Sequence, residues 1–252
     1  MNTINWDEIK FRASSWGNLM SEPKSKEDKL AGKLGATCKK ELIKIYNQEI
    51  YGRKQDLVTR QMDKGTQVEG DSIKLFSIVE GRMFYKNEED RLENEWFTGH
   101  PDIFTGDNIL NANEVWDIKS RWNMDSFMPK LEEEVDTGEE LQLQVYYSLT
   151  GAQGGGIANT LVSCPENILM EEKRRLLYSM NVISEESPEY KRAAAELEHL
   201  LTFPDIPEQE RVIKKYVPRD EELIQKMKDK VPIFRQWLSD FEKKHLALYK
   251  RN

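Results

Sequence analysis

A carboxylate and an amine two residues apart on an extended segment point the same way, and Asp117-Ile118-Lys119 supplies that pair. Ile118 then faces the opposite side, toward a core. Asp117 and Lys119 together could serve as a metal ligand and as a group that orients or deprotonates water. By itself the triplet reads first as an ordinary ion pair on one face of a strand. Asp102 changes that reading. It stands 15 residues upstream, behind Pro101, and the Gly106-Asp107-Asn108 turn between them predicts a hairpin that brings it back toward Asp117. Further upstream, Glu69 falls beside an apolar helical stripe, one turn before Ile73. Three carboxylates converging with one lysine suit a hard divalent cation, which prefers oxygen ligands. Like charges held that close need a counter-ion or raised pKa values, so such a site would be costly without one.

Elements must hold these residues in place, and the apolar spacing predicts them. Residues 4–20 open with Trp6, Ile9 and Phe11, and Ser14-Ser15 ahead of an apolar stretch read as a helix N-cap. Residues 21–35 read as a polar, mobile loop. A helix is expected over about 36–51, with Leu42, Ile43, Ile45 and Tyr46 on its apolar side. Residues 65–80 read as one further helix, with Val68, Ser72, Leu75, Phe76 and Val79 facing the core. Strands are expected over 82–85 and 95–98 around an acidic turn at 87–94, then from Asp102 and over 114–119. A loop with a short helix covers 122–138, and a helix runs over 141–149 to Gly151. Gly154-Gly155-Gly156 reads as a turn ahead of a strand over 157–163. Residues 166–200 read as helical, broken near 184–188, and 211–217 as a last strand. Asp220 caps a long C-terminal helix, about 220–247, carrying Leu223, Met227, Val231, Phe234, Leu238 and Phe241. Strands with helices on either side predict an α/β fold with a central mixed sheet.

The bulk numbers fit that picture. At 252 residues, with 38% hydrophobic and 33% charged side chains, the chain can bury a substantial core and reads as one domain over 1–252. No apolar run approaches the roughly 20 residues that span a bilayer. The first residues lack the basic and then apolar layout of a signal peptide. Cys38 and Cys164 offer no metal-ligand spacing and are too few for an iron–sulfur cluster. The expected compartment is cytoplasmic. A net charge of −8 argues mildly against a general nucleic-acid binder, yet residues 1–64 carry a net +4 and the remainder −12. Cations gathered locally are what phosphate binding requires. No G-x-x-x-x-G-K-[S/T] motif occurs, which excludes an ATP-driven motor of that type.

Taken in order along the chain, the motifs resemble a known family. Gly99-His100-Pro101-Asp102 followed by Asp117-Ile118-Lys119 is similar to the PD-(D/E)xK nuclease signature. Residues 65–76, from Gly65 through Glu69 to Leu75-Phe76, resemble the upstream Gly-x-x-x-Glu motif of the lambda exonuclease and YqaJ-like branch. Gln142-Leu143-Gln144-Val145-Tyr146-Tyr147 resembles the Gln-rich helix after the lysine in that branch and in RecB-type nuclease domains. Arg12-Ala13-Ser14-Ser15 is similar to its Thr-Ala-Ser helix start, and residues 216–222 resemble its closing strand and last helix start.

This resemblance implies a restriction-endonuclease-like core. It further implies a Mg²⁺ site (Mn²⁺ as substitute) held by Glu69, Asp102, Asp117 and the Ile118 carbonyl, with Lys119 orienting or deprotonating the attacking water. Gln142 and Tyr146 would shape the phosphate and lysine surroundings, with Gln144 as the alternative to Gln142. Arg12, Ser14 and Ser15 would grip DNA, with Lys10 a further cation. The implied activity is hydrolysis of double-stranded DNA by a 5′→3′ exonuclease of phage-type recombination, working in the bacterial host cytoplasm if phage-encoded. Two alternatives stay open: a structure-specific or flap endonuclease on the same core, and a catalytically silent DNA-binding or assembly protein. Ring-shaped homo-oligomers and a single-strand annealing protein are the partners that the branch implies. Two features depart from the pattern. Asp stands at 117 where the family often has Glu, and no clean counterpart exists for the arginine that helps bind the 5′-phosphate. Residues 166–210 read as a helical insertion.

Other residues carry blander expectations. His100 fits a structural or DNA-backbone role as well as contact with a metal site, and His199 and His245 are expected to face solvent. The tryptophans read as core, except Trp122, whose polar surroundings make it the candidate for base stacking. Glu132-Glu133-Glu134 reads as a solvated face.

Overall fold

The computed structural model describes residues 4–53, 59–88, 91–182 and 184–249. Among these, the strands form two mixed sheets. The smaller joins β1 (Phe11–Arg12), β2 (Leu92–Glu93) and β3 (Phe97–Gly99), with β3 central, parallel to β1 and antiparallel to β2. The larger runs β4 (Ile103–Thr105), β5 (Glu114–Ser120), β6 (Gly154–Thr160), β7 (Val212–Pro218). Its outer pairs are antiparallel and β5–β6 is parallel. Parallel neighbours cannot be joined by a tight turn, so a helical crossover links β5 to β6.

The helices are α1 (Trp16–Leu19), α2 (Lys26–Leu30), α3 (Ala36–Tyr51), α4 (Arg60–Gln67), α5 (Glu69–Glu80), α6 (Met124–Phe127), α7 (Thr137–Thr150), α8 (Glu166–Ser179), α9 (Pro188–Leu201) and α10 (Glu221–Tyr249). Strand alternation splits the core between the two faces of the larger sheet. Val115 and Ile157 join the main cluster with α3, α7 and α10, where Trp16 meets Phe97 edge-on at 5.2 Å and Phe11 meets Phe234 at 5.5 Å. Trp116, Ile118 and Ala158 face the other way, onto Ile73 and Phe76 of α5. The result is the expected α/β arrangement. No helix among the described residues is long and apolar enough to cross a membrane.

Several helix ends follow local chemistry. Helix α3 spans the predicted 36–51 and stops at Gly52, in the left-handed region at φ 61°. Gly151, at φ 80°, ends α7 in the same way. Asp220 Oδ1 accepts the Leu223 N–H at 2.9 Å at the start of α10, and helices α8 and α9 flank the predicted break.

Other expectations are overturned. Residues 82–85 form no strand: Phe84 is buried in a stack on Phe76 at 4.9 Å, and its N–H donates to Ser77 Oγ rather than to a ladder. Part of the acidic 87–94 turn lies outside the described residues. The helix expected over 65–80 is two helices, because the chain leaves helical geometry at Val68 (φ −101°, ψ 11°), and α4 begins earlier, capped by Thr59. Ser14 and Ser15 do not cap α1; Ser15 Oγ donates to Glu41 instead. The 21–35 segment contains α2, capped by Ser25. His245 is half-buried, with Nδ1 2.9 Å from the Tyr46 hydroxyl, whereas His199 is exposed as expected.

Gly154-Gly155-Gly156 is the largest correction. The three glycines are buried residues of β6, which then ends at Thr160. A Cβ on Gly154 would stand 2.1 Å from the Tyr216 hydroxyl, and one on Gly156 2.1 Å from the Lys215 carbonyl. Gly155 sits at φ +151°, where a Cβ would collide with the Val115 carbonyl. Glycine marks close backbone approach inside a sheet here, not a reversal of the chain.

Candidate active site

Strands β4 and β5 form the hairpin that the turn chemistry predicts, with Ile103 opposite Trp116 and Thr105 opposite Glu114. One step beyond the last ladder pair, the Asp102 side chain takes over the role of a strand partner. Its Oδ2 accepts the Ile118 N–H at 2.7 Å. The N–H and C=O of a strand residue leave by the same edge, so the Ile118 carbonyl opens toward Asp102 as well.

Asp117 is 1% exposed. Its Oδ1 accepts a hydrogen bond from Gln142 Nε2 at 3.0 Å, and the same amide donates to the Tyr146 hydroxyl at 2.7 Å. Gln142 and Tyr146 lie one turn apart on α7, whose face packs over the Asp117 side of the sheet. Gly99 makes room for this, since a Cβ there would meet the Tyr146 ring at 2.9 Å. Asp117 Oδ2 is paired with the Lys119 ammonium at 2.6 Å.

The electrostatics follow from this crowding. Burial and the neighbouring Asp117 charge push the Asp102 carboxyl up to about 7, with the Ile118 N–H and Lys119 only partly offsetting them. Burial acts most strongly, to lower the Lys119 amine, but the Asp117 charge and hydrogen bond together with the Asp102 and Glu139 charges hold it above its ordinary value. The Tyr146 hydroxyl is held well above the usual phenol range by burial and by Asp117.

Glu69 does not complete the trio of carboxylates. It is the first residue of α5, near enough for its charge to help raise Asp102, but its Oε2 is paired with Lys86 Nζ at 2.7 Å. Among the described residues, no group of three or more His, Cys, Asp or Glu side chains is placed to hold a metal together. The structure therefore brings Asp102, Asp117, Lys119, Gln142 and Tyr146 together and leaves Glu69 one ion pair away. Gln144 is elsewhere: it clamps the β7–α10 junction through the Pro218 carbonyl and the Asp220 N–H.

The expected DNA-gripping residues lie around the adjoining surface. Arg12 borders a cleft of about 460 Å³ with Thr98 and Arg91, which continues into a second of about 280 Å³ lined by Ser14, Lys44 and Arg53. Lys10 also lines the cleft but is paired with Glu93 at 2.6 Å. Trp122 is not in the polar setting expected of it. It packs half-buried on Cys164, Ile168 and Leu169, with Lys64 Nζ 5.9 Å from its ring centre.

Sequence reasoning passed over several polar residues here. Arg121 continues the alternation of Asp117 and Lys119, donating from Nε to Asn159 at 2.7 Å and pairing with Glu139 at 3.2 Å. Strand periodicity could have found it, and Glu139 is three residues before Gln142 on the same helix face. Lys86 gave no such signal, since its segment has no regular structure. Lys64 is fully buried, with Nζ donating to the Arg121 and Trp122 carbonyls at 2.8 and 3.0 Å.

Whether this set fits a divalent cation can be judged from its chemistry. Two carboxylates crowd one another until one is pushed well above its ordinary range, and one oxygen of the buried Asp117 has the Lys119 ammonium as its partner. The crowding is what a hard cation bound by oxygen would relieve. The residues fit.

Comparison with known proteins places this geometry. No family profile and no curated protein sequence matches the chain. Among solved structures, a phage-related exonuclease from Haemophilus somnus 129PT is similar over 94% of this chain and 97% of its own, with a TM-score of 0.72 and 26% identity. An alkaline exonuclease from Laribacter hongkongensis shares the fold over 97% of this chain and 98% of its own, with a TM-score of 0.62 and 15% identity. Its complex with dAMP is similar over 95% and 94%, with a TM-score of 0.61 and 16% identity. The hairpin aspartates, the following lysine, the Gln-rich helix and this shared fold make the chain similar to phage-related and alkaline exonucleases, consistent with the lambda-exonuclease-like branch of the PD-(D/E)xK nucleases.

Proposed function

We propose that the chain is a Mg²⁺-dependent exonuclease that degrades double-stranded DNA from a 5′ end, in phage-type recombination or DNA processing. The observation that carries this reading is the crowded Asp102–Asp117 pair, with Asp117 buried and its Oδ2 paired with Lys119. The similar solved structures, both exonucleases and one bound to dAMP, support DNA as the substrate.

Asp102, Asp117 and the Ile118 carbonyl would hold Mg²⁺, with Glu69 as a further ligand. When bound, the ion lowers the pKa of water and offsets charge on the phosphate. Lys119, held as the ammonium, would orient the attacking water from its place beside Asp117 Oδ2. Gln142 would fix the Asp117 carboxylate through Oδ1, and Tyr146 would fix Gln142. Arg12, Ser14 and Ser15 would hold the DNA backbone along the cleft, whose cations neutralise phosphate.

The test uses purified protein, Mg²⁺ and linear duplex labelled at either the 5′ or the 3′ end, with covalently closed circles alongside. Loss of linear DNA from the 5′ end with circles intact is the expected result. Loss from the 3′ end overturns the polarity, and cleavage of circles replaces the reading with an endonuclease. Failure to cut either substrate, with Mg²⁺ and then Mn²⁺, overturns the proposed activity.

A further inference from the structure

The Glu69–Lys86 pair lies at the edge of the proposed metal site. Lys86 Nζ stands 2.7 Å from Glu69 Oε2, and the Lys86 side chain is 49% exposed while that of Glu69 is 23% exposed. Asp102 is close enough for its charge to reach Lys86. The next residue, Asn87, is tied firmly to the Asp102 segment. Its N–H donates to the Asp102 carbonyl at 2.7 Å, and its side-chain amide donates to the Pro101 carbonyl at 3.0 Å. The backbone beside Lys86 is therefore fixed to the Asp102 segment while its side chain is free to leave. It borders an open groove of about 630 Å³ that Tyr85 and Phe104 also line, so a displaced ammonium would enter water without a burial penalty.

An ammonium and a divalent cation repel when both approach one carboxylate. The interaction of a +1 and a +2 charge a few ångströms apart is several times RT even where the effective dielectric constant is about 20. A metal ion on Glu69 thus weakens the hold of Lys86, and this lysine, more exposed than Lys119 beside Asp117, has open solvent to move into. A lysine suits the exchange better than an arginine, because it is a compact point charge on a flexible stem.

We infer that Lys86 is a positioning residue that competes with the metal ion for Glu69. It keeps the third carboxylate neutralised and lowers metal affinity until a cation displaces it. This inference rests on the metal-site reading of Asp102 and Asp117. It also explains why the three carboxylates expected to converge stand as two and one.

The test measures Mn²⁺ binding by calorimetry and by the electron paramagnetic resonance signal of free Mn²⁺, without DNA. Wild type, Lys86→Met, Glu69→Gln, the double variant and Asp117→Asn are compared, with circular dichroism and Tm checking that each is folded. Lys86→Met is expected to tighten Mn²⁺ binding about ten-fold, a gain near 1.4 kcal/mol. In the Glu69→Gln background the same change should do nothing, which makes the pair strongly non-additive. A purely structural role for Lys86 would not tighten metal binding. Unchanged or weaker binding by folded Lys86→Met overturns the inference while leaving the metal site standing. If Asp117→Asn binds Mn²⁺ as wild type does, or wild type binds none, the metal-site reading falls and this inference falls with it.

Discussion

Asp117 and Asp102 differ in what their removal should do, although they stand side by side. Asp117 is clamped by Gln142 on one oxygen and faces Lys119 with the other, so it links α7 to the lysine. Replacing it with alanine should slow cleavage by at least about 100-fold, the scale seen when one key electrostatic group is lost, while DNA binding persists. Turnover under saturating DNA, alongside a filter-binding assay, separates the two, and near-normal cleavage would remove Asp117 from the site. Asp102 gives a different signature in protein kept in chelator. Its folded carboxyl sits at about 7, against roughly 4 in the unfolded chain. Between those values the folded state holds a proton that the unfolded state has released, so stability falls as pH rises from about 4 to about 7. Asp102→Asn should flatten that slope and raise Tm above wild type at pH 8. Parallel pH profiles of Tm for the two proteins would contradict the crowding described here.

At the scale of elements, the hairpin and α7 bring the chemistry together, and buried polar ties lock the helices onto the sheet. Ser72 and Ser120 hydroxyls meet at 2.6 Å between α5 and β5. Lys64 of α4 reaches the carbonyls just beyond β5, flanked by the Trp122 and Phe203 rings. Burial pulls its amine down to about 8, so keeping the charge there is costly. A volume-matched apolar residue removes that desolvation cost but leaves the Arg121 and Trp122 carbonyls without this donor, so the two effects largely offset. Lys64→Met should therefore change unfolding stability by no more than about 1 kcal/mol. Lys64→Ala leaves a cavity and should cost about 3 kcal/mol. Denaturant titrations of the two variants decide the matter, and equal losses would mean that the ammonium itself holds the elements together.

Across the whole molecule, charge is segregated despite the net −8. The clefts beside the site draw Arg12, Lys44, Arg53 and Arg91 from distant parts of the chain to one surface. Arg12 is the cation common to both clefts, whereas Lys10 is already partnered by Glu93. Arg12→Gln should weaken DNA binding and reduce the slope of log K against log salt by about 1, and Lys10→Gln should change it less. Binding isotherms at several salt concentrations measure both slopes. An unchanged slope for Arg12→Gln would place the phosphate-binding surface elsewhere.

What the sequence alone determined was local. The two-residue alternation of Asp117 and Lys119, the turn that folds Asp102 back, the one-turn spacing of Gln142 and Tyr146, and the caps at Gly52, Gly151 and Asp220 all follow from backbone geometry over a few residues. Gly154-Gly155-Gly156 looked like a turn because nothing local reveals the Val115 and Lys215 backbones that press on both sides of β6. Phe84 looked like part of a strand because its drive to pack is local, while the partner it finds, Phe76, is not. Tertiary structure also decided between Gln142 and Gln144, since the helix phase depends on which face of α7 the sheet covers. The same holds for Glu69, which the sequence placed among the carboxylates and the fold paired with Lys86. Spacing along the chain fixes which side chains can share a face, but charge pairing and close packing depend on distances that only the assembled elements set.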